Sequence, residues 1–239
     1  MSTSATRPDD CATRTETPRD GGVRFAAAAL PVHTPLVACR LVFITFEGID
    51  GSGKTTQANL LAGRLRAEGH DVMVTREPGG TALGEAVRDL VLHGDHVAPW
   101  AEAALYAASR AQHVDQVIRP ALARGATVLC DRYLDSSVVY QGVGRGLGLK
   151  HVLDLNLTVV GGLLPDVTIL LRLDAETGAE RMGSDLDRIE REGIDFVRRV
   201  CEAYDEVAAM FPERFVVVDA ARPAEELAEE ILGAVCGRP

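Results

Sequence analysis

A glycine-rich stretch between an apolar run and a helix-like run constrains this chain most strongly. The stretch Gly48-Ile49-Asp50-Gly51-Ser52-Gly53-Lys54-Thr55 fits the pattern GxxxxGK[ST]. Its glycines let the backbone wrap a phosphate, and the helix that begins near Lys54 adds the positive end of its dipole. We expect Lys54 to reach the β and γ phosphates of a nucleotide and Thr55 to offer its hydroxyl to Mg²⁺. The predicted phosphate-binding residues are Gly48, Ile49, Asp50, Gly51, Ser52, Gly53, Lys54, Thr55 and Thr56.

Short apolar runs alternate with helical periods after residue 40. The runs that we predict as strands are 41–47, 71–76, 126–131, 167–174 and 215–219. Helical spacing fills the intervals, at 54–69, 83–92, 101–123, 136–140, 151–163, 192–210 and 224–235. Strands separated by helices indicate βαβ units with right-handed crossovers. The sequence therefore predicts an α/β fold, a three-layer sandwich with a five-stranded parallel sheet.

Polar residues mark the ends of the first three predicted strands. Gly48, Arg76 and Asp131 each end or follow one of them. Ligands of parallel sheets bind beyond the carboxyl ends of the strands. We therefore expect these three residues to border one cleft.

Composition limits the partners of the chain. Its 239 residues carry a formal net charge of −10, which disfavours binding to nucleic acid. No run of about 18 apolar residues occurs, so no membrane span is predicted. The five cysteines form no CxxC pair and are interpreted as free thiols of a reducing cytosol. We expect a cytoplasmic protein without a nucleic-acid or membrane partner.

Residues 1–40 differ in character from the rest. The first 22 residues have no apolar period, so we predict a disordered extension before a domain at 41–239. Leu36-Val37-Ala38-Cys39 resembles a lipoprotein processing box, but Pro31 and Pro35 break the stretch before it. Export and organelle transit are therefore not favoured. A dispensable tail, or a start codon assigned too early, is the preferred interpretation.

The glycine-rich motif alone leaves two classes of function open. GTPases, motor ATPases and kinases share it. One class is a small-molecule kinase, and the other is a regulatory NTPase that acts through a protein or DNA partner. The sequence has no NKxD motif for reading guanine and no basic patch for DNA.

Four segments carry a more specific pattern. They are FEGIDGSGKTT at 46–56, TREPGGT at 75–81, DRYLDSS with YQG at 131–142, and LDRIE at 186–190. In this order they resemble the thymidylate kinase family, bacterial type, among the P-loop nucleoside monophosphate kinases, over about residues 41–235. The resemblance implies transfer of a phosphoryl group from ATP to dTMP, with Mg²⁺, in deoxythymidine nucleotide biosynthesis. It also implies a nucleoside monophosphate kinase fold with a short lid at about 182–190, and a homodimer. Another nucleoside monophosphate kinase remains the alternative.

The chemistry of such a reaction explains its arginines. The acceptor phosphate has a second pKa of about 6 and is largely a dianion, so no general base is needed. Catalysis then consists of positioning and of compensating charge. Arginine suits this because its planar fork binds phosphate through two parallel bonds. By the resemblance, Arg132 and Arg88 hold the acceptor phosphate.

The resemblance assigns roles to the remaining residues. Asp50 accepts from the sugar 3′-OH, and Glu77 lies near the acceptor phosphate and the metal. Asp131 supports Mg²⁺ through water, next to Thr55. Tyr106 stands where the family usually has Phe, stacking on thymine, and Arg110, one helical turn on, bonds the base. The residues that complete the dTMP site are Ser137 and Gln141, which read the N3–O4 edge, and Tyr140, which crowds the 2′ position.

The predicted lid departs from the family pattern. Only AETGAERMGSD lies between Asp174 and Leu186, where bacterial relatives usually carry more residues and an arginine cluster. Gly51, not Arg, follows Asp50. We expect Arg181, on the helix leaving the fourth strand, to be catalytic and Arg188 to grip ATP. The predicted catalytic residues are Lys54, Arg132, Arg181 and Arg188.

Overall fold

Five parallel strands form one sheet in the computed structural model, which describes residues 43–182 and 187–237. The strands are β1 (Phe43–Glu47), β2 (Val72–Arg76), β3 (Thr127–Asp131), β4 (Val167–Arg172) and β5 (Phe215–Asp219), in the order β2-β3-β1-β4-β5. β1 is buried along its whole length, as its unbroken apolar run predicts. The predicted N-terminal extension, Cys11, Cys39 and residues 183–186 of the predicted lid lie outside the described residues.

Helices cover both faces of this sheet. They are α1 (Lys54–Ala67), α2 (Ala82–His93), α3 (Pro99–His113), α4 (Arg119–Ala123), α5 (Leu134–Ser137), α6 (Leu149–Val159), α7 (Ala175–Arg181), α8 (Ile194–Met210) and α9 (Ala224–Cys236). α1 packs on β1, β2 and β3 and lies beside α9. α4 packs on β3, and α8 packs on β4. The predicted three-layer sandwich with a five-stranded parallel sheet is confirmed.

Two wide helical turns interrupt the regular winding. The predicted helix 101–123 is divided, because α3 passes through a wide turn at Val114–Ile118 before α4 begins. Pro120 has no N–H for an ordinary helical bond, and the wider winding accommodates it. The second wide turn, Val138–Gly144, follows α5, and here Arg145 N–H bonds the carbonyl of Tyr140, five residues back, at 2.9 Å.

β4 ends earlier than the apolar pattern predicts. The predicted strand runs to Asp174, but the side chain of Asp174 accepts the N–H of Thr177 at 2.8 Å and caps α7. Capping the helix removes Asp174 from the strand. Arg181 lies on the last turn of α7, as expected.

The core lies on both sides of the sheet. Phe43, Phe46, Leu129 and Ile169 are fully buried in it. Cys130 and Cys201 are free thiols. Within residues 43–182 and 187–237, no helix is both long enough and apolar enough to cross a membrane.

Candidate active site

The loop between β1 and α1 has the backbone of a phosphate cradle. Gly48, Gly51 and Gly53 have φ angles of +136°, +78° and +90°, which other residues rarely adopt. A Cβ at Gly48 would lie 2.5 Å from the carbonyl oxygen of Leu171, so the turn also needs the space. The three glycines therefore allow the backbone to follow this path at the carboxyl edge of the sheet.

Lys54 folds back over this loop. Its Nζ donates to the carbonyl of Ile49 at 2.8 Å and lies 3.7 Å from Asp50 Oδ1. Burial and the nearby Arg132 lower its pKa, while Asp50 and Asp131 oppose that shift. The ammonium group is thus held inside the cradle, where a bound phosphate would meet it.

Two oxygen ligands meet at the base of the cradle. The hydroxyl of Thr55 donates to Asp131 Oδ2 at 2.5 Å, joining the start of α1 to the end of β3. Hydroxyl and carboxylate oxygens are ligands that Mg²⁺ prefers. This pair fits the metal position that the sequence predicts.

Glu77, a possible second metal ligand, has both oxygens engaged. Oε2 accepts from Arg110 Nε at 2.6 Å, and Oε1 lies 2.9 Å from His113 Nδ1. Glu77, His113 and Cys130 have ligand atoms within 4.8 Å of one another, but the Arg110 guanidinium already neutralises this buried carboxylate. A direct metal bond from Glu77 would have to replace one of these contacts.

Arg132 joins the cradle to the rest of the site. It has a φ of +67°, and its backbone N–H donates to the carbonyl of Phe46. Its guanidinium donates to Asp50 Oδ1 at 2.6 Å and to the carbonyl of Gly48 at 2.9 Å, and lies 5.2 Å from the ring centre of Tyr140. Burial alone would lower the pKa of Arg132, but the nearby carboxylate of Asp50 raises that pKa. The net result is a pKa well above the ordinary value, so the group stays charged.

A buried carboxylate that the sequence did not reveal is linked to Arg132 through two hydroxyl groups. Glu47, at the end of β1, accepts from the hydroxyls of Ser136 at 2.5 Å and of Tyr204 at 3.0 Å. Both hydroxyls also accept from Arg132 Nη1. Burial and the nearby Asp135 raise the pKa of Glu47 to about 7, against the lowering effects of Ser136 and Arg132.

A pocket, called the side pocket here, opens beside the cradle. Its lining residues are Asp50, Glu77, Pro78, Arg88, Leu92, Tyr106, Arg110, Arg132, Ser136, Ser137, Tyr140, Gln141, Asp187 and Ile189. Every residue that the family resemblance predicts for dTMP is among them.

One face of α3 forms a wall of the side pocket. Glu102, Tyr106 and Arg110 follow each other at helical spacing, so they stack along that face. Arg110 is almost fully buried, and its guanidinium donates to Glu77, to the hydroxyl of Ser137, to the side chain of Asn156 and to the carbonyl of Tyr133. Arg110 is therefore rigidly oriented, while Tyr106 is half-buried at the pocket surface.

α5 and the wide turn after it form the facing wall. Ser137 accepts from Arg110 Nη1 at 3.0 Å. The hydroxyl of Tyr140 lies 3.5 Å from Arg132 Nη2, and Gln141 donates its amide N–H to Glu102 at 2.9 Å. The wide winding brings all three side chains onto one pocket.

The side pocket and the cradle share a border. The residues that line the phosphate cleft are Asp50, Gly51, Gly53, Lys54, Thr55, Thr56, Arg76, Glu77, Arg88, Asp131 and Arg132. Asp50, Glu77, Arg88 and Arg132 therefore line both spaces. Arg88 is anchored to the carbonyl of Pro78 at 3.1 Å. Ligands in the two spaces would meet between the guanidinium groups of Arg88 and Arg132.

The two arginines predicted for the lid lie on opposite sides. Arg181 donates to the carbonyls of Ala220 at 2.9 Å and Gly51 at 3.4 Å, so it lies beside the cradle. Arg188 donates to Glu102 on α3 and to the carbonyl of Val91 on α2, and its neighbours Asp187 and Ile189 line the side pocket. Its predicted grip on ATP stays a prediction, since that contact would require Arg188 to leave Glu102.

Sequence reasoning missed Glu47, Glu102 and Tyr204. Glu47 lies inside a quoted segment, and a carboxylate ending an otherwise apolar strand was a usable signal. Glu102 shares the helical spacing of Tyr106 and Arg110, which also pointed to it. Tyr204 is 157 residues from Glu47 in the chain, and no local pattern connects the two.

Comparison with known proteins agrees with this geometry. The family model described as thymidylate kinase matches residues 46–231. The thymidylate kinase of Clavibacter michiganensis subsp. michiganensis is 56% identical over 194 residues, which cover 80% of this chain and 92% of that protein. The thymidylate kinase of Deinococcus radiodurans is 52% identical over 200 residues, which cover 82% of this chain and 97% of that protein.

A solved structure extends the likeness to three dimensions. The crystal structure of thymidylate kinase from Ehrlichia chaffeensis superposes with a TM-score of 0.69 and 33% sequence identity, covering 81% of this chain and 97% of that one. The family match runs from the end of β1 into α9. The chain therefore belongs to the thymidylate kinase family.

Proposed function

We propose that the chain transfers the γ-phosphoryl group of ATP to the phosphate of dTMP, giving ADP and dTDP. The observation that carries this proposal is the shared border of the two spaces at Asp50, Glu77, Arg88 and Arg132. A phosphate cradle that opens onto a second pocket lined by polar and aromatic side chains suits a small-molecule acceptor. A regulatory NTPase has no need of such a pocket, and family membership does not favour that alternative.

Arg132 and Arg88 orient the acceptor in this proposal. Arg132 already spans Gly48 and Asp50, so its position is fixed relative to the cradle before substrate binds. Rigid cations between two anionic groups lower the repulsion between them and hold the attacking oxygen in line. Asp50 accepts from the sugar hydroxyl, and Lys54 stabilises the transferring group.

Thr55 and Asp131 would hold Mg²⁺, Thr55 through its hydroxyl and Asp131 through water. Their oxygen atoms are neighbours at the base of the cradle, where the β and γ phosphates would lie. When bound, Mg²⁺ neutralises charge on those phosphates. The role of these two residues is to hold the positive charge of the ion at the N-terminus of α1.

The far end of the side pocket selects the base. Tyr106 stacks on thymine, Arg110 bonds the base, and Ser137 and Gln141 read its N3–O4 edge. Tyr140 borders the 2′ position and disfavours ribose. A methyl group in a pocket changes binding by only about 1–3 kcal/mol, so dUMP should be a poor substrate and not an excluded one.

Arg181 completes the cationic surroundings of ATP. Its contacts with Gly51 and Ala220 support a position beside the transferring group. Lys54 is fixed in the cradle and Arg132 serves the acceptor, so a further cation has to come from the lid side. Arg181 is that cation in our proposal.

Apolar surface on neighbouring helices supports a homodimer. Leu83 and Leu90 on α2 are 46% and 55% exposed, and Trp100 on α3 is 50% exposed. α2 and α3 pack side by side, so these side chains are available to a second copy. We also propose that residues 1–40 are a dispensable extension before the kinase domain and that the enzyme is cytoplasmic.

An ADP-release assay over a panel of nucleoside monophosphates tests the reaction. We expect dTMP to give the highest kcat/KM, dUMP a lower value, and dCMP a still lower one. AMP and GMP should be inactive. Equal rates with AMP or GMP, or ADP release that does not depend on any acceptor, would contradict the proposal.

A further inference from the structure

Glu102 lies outside every segment that carries the family pattern, yet it is fully buried and contacts Gln141, which lines the side pocket. One of its oxygens accepts the amide N–H of Gln141 at 2.9 Å, and the other accepts from Arg188. Arg145 donates to both oxygens at 3.2 Å. Burial would raise the pKa of Glu102, but hydrogen bonds from Gln141, Arg188 and Arg145 outweigh it and hold the pKa below its ordinary value. Glu102 is therefore a carboxylate, a group that only accepts hydrogen bonds.

A carboxylate beside an amide fixes which end of the amide faces it. The oxygen and nitrogen of a glutamine side chain have nearly the same shape but opposite hydrogen-bonding roles. Glu102 can bind only the NH₂ end of Gln141, so the carbonyl oxygen is left for other contacts. Because Gln141 lines the side pocket, that oxygen is the acceptor available to a bound base.

An acceptor at this position distinguishes pyrimidines by their edges. Thymine and uracil carry a hydrogen on N3, which an acceptor can bind. Cytosine has a lone pair on N3 and an amino group where thymine has O4. A fixed acceptor from Gln141 therefore meets a donor in dTMP and another acceptor in dCMP.

We propose that Glu102 is a positioning residue that sets base selectivity by fixing the amide of Gln141. The inference rests on the proposed function, since it concerns the base of the same acceptor. Glu102 touches no substrate in this proposal and acts only through Gln141. Glu102 also accepts a hydrogen bond from the side chain of Arg188, and the backbone N–H of Arg188 donates to the carbonyl of Leu92 near the end of α2. Residues 187–189 are therefore linked through Glu102 to the position of Gln141.

Glu102→Gln tests the proposal with little change of shape. An amide at position 102 can donate as well as accept, so Gln141 is free to turn its own NH₂ group into the pocket. We expect the ratio of kcat/KM for dTMP to kcat/KM for dCMP to fall by about tenfold or more, since the hydrogen bond to N3 is then no longer specified. Calorimetric titration with each nucleotide should show the same change in the ratio of affinities.

Asp135→Asn is the matched control. Asp135 is also a fully buried carboxylate paired with an arginine, with both oxygens 2.7 Å from Arg214, and it does not line the side pocket. Its replacement should lower stability while leaving the dTMP to dCMP ratio unchanged. A purely structural role for Glu102 predicts the same result for both variants.

A second variant keeps the test decisive if Glu102→Gln does not fold. Gln141→Met removes the amide at similar size, and the selectivity ratio should again fall about tenfold. Where both variants fold, the double variant should have the same ratio as Gln141→Met alone. An unchanged ratio in folded Glu102→Gln, or in Gln141→Met, overturns the inference. A parent enzyme that does not phosphorylate dTMP would instead refute the proposed function.

Discussion

The guanidinium of Arg132 donates to Asp50 Oδ1 at 2.6 Å and thereby joins the end of β3 to the phosphate cradle. The same group donates to the carbonyl of Gly48, so it needs the two-sided geometry of a guanidinium. Arg132 is therefore held in a fixed position relative to the cradle without any bound ligand.

Replacing Arg132 with Lys should separate charge from geometry. Lysine keeps the positive charge but cannot bond Gly48, Asp50 and a phosphate together. We expect kcat/KM for dTMP to fall by about a hundredfold or more, a loss typical of removing a preorganised donor. Steady-state kinetics with Arg172→Lys, an exposed arginine paired with Asp205, provide the control. A kcat/KM for dTMP within a few-fold of the parent in Arg132→Lys would contradict the assignment.

Tyr106 should contribute to binding of the base and not to binding of ATP. Stacking of an aromatic ring on a base is worth about 1–3 kcal/mol, so Tyr106→Ala should raise KM for dTMP by roughly tenfold or more. Tyr106→Phe keeps the ring and should be mild. KM values for both substrates, measured in parallel, decide the point, because equal damage to both would indicate a packing role.

Arg181 should matter for the rate and little for binding. A cation that reaches the transferring group is worth about 10³–10⁵ in rate in related phosphoryl transfers. Because Arg181 is exposed, solvent partly screens its charge, and we expect an effect below the upper end of that range. Arg181→Ala should lower kcat by at least about a hundredfold, with a small change in KM. A near-normal kcat would refute this assignment.

Arg188→Ala is the informative comparison for Arg181. Arg188 is bound to Glu102, which also bonds Gln141 of the side pocket, so its loss should raise KM for dTMP more than it lowers kcat. A rise in KM for ATP alone would instead support the grip on ATP that the sequence predicts.

The buried carboxylate of Glu47 should make stability depend on pH. Its pKa is raised from 4.5 to about 7 in the folded state, so the folded protein holds a proton that the unfolded chain has lost between these values. The contribution is fully present below pH 4.5 and is lost as pH rises through 7, a change on the order of 3 kcal/mol.

Urea unfolding at pH 5 to 8 measures this effect. Glu47→Gln should remove the decline in unfolding free energy that Glu47 causes over the range. Glu68→Gln, a change at an exposed glutamate, should keep the parent's slope. An identical slope in all three proteins would mean that Glu47 ionises normally in the folded state.

Removal of residues 1–38 should leave the enzyme active. The family match begins at residue 46, and the first 22 residues of the extension have no apolar period with which to pack. We expect kcat and the melting temperature of the truncated protein to equal those of the full chain. A failure to fold, or loss of most of the kcat, would move the domain boundary into the extension.

The sequence predicts much of this architecture because its signals are local. The strand ends at Gly48, Arg76 and Asp131 meet at one edge, as parallel strands require. Ser137 and Gln141 belong to one contiguous motif, and both line the side pocket.

The unpredicted part consists of contacts between distant segments. Nothing near Arg188 indicates that its partner is on α3. The helical spacing of Glu102 gives its face of α3 but not its burial, because a glutamate on a helix usually faces water. The division of helix 101–123 also escapes periodicity, because a wide turn preserves the helical pattern on both sides while shifting its phase.

The wide turn at Val138–Gly144 makes the number of residues in this segment as important as their types. Deleting one residue while the rest of the winding stayed as it is would rotate one flank relative to the other by about 100°. Gln141 and Arg145 could then no longer face Glu102 while Ser137 faces Arg110. A substitution in this segment alters one contact, whereas a change of length alters all of them together.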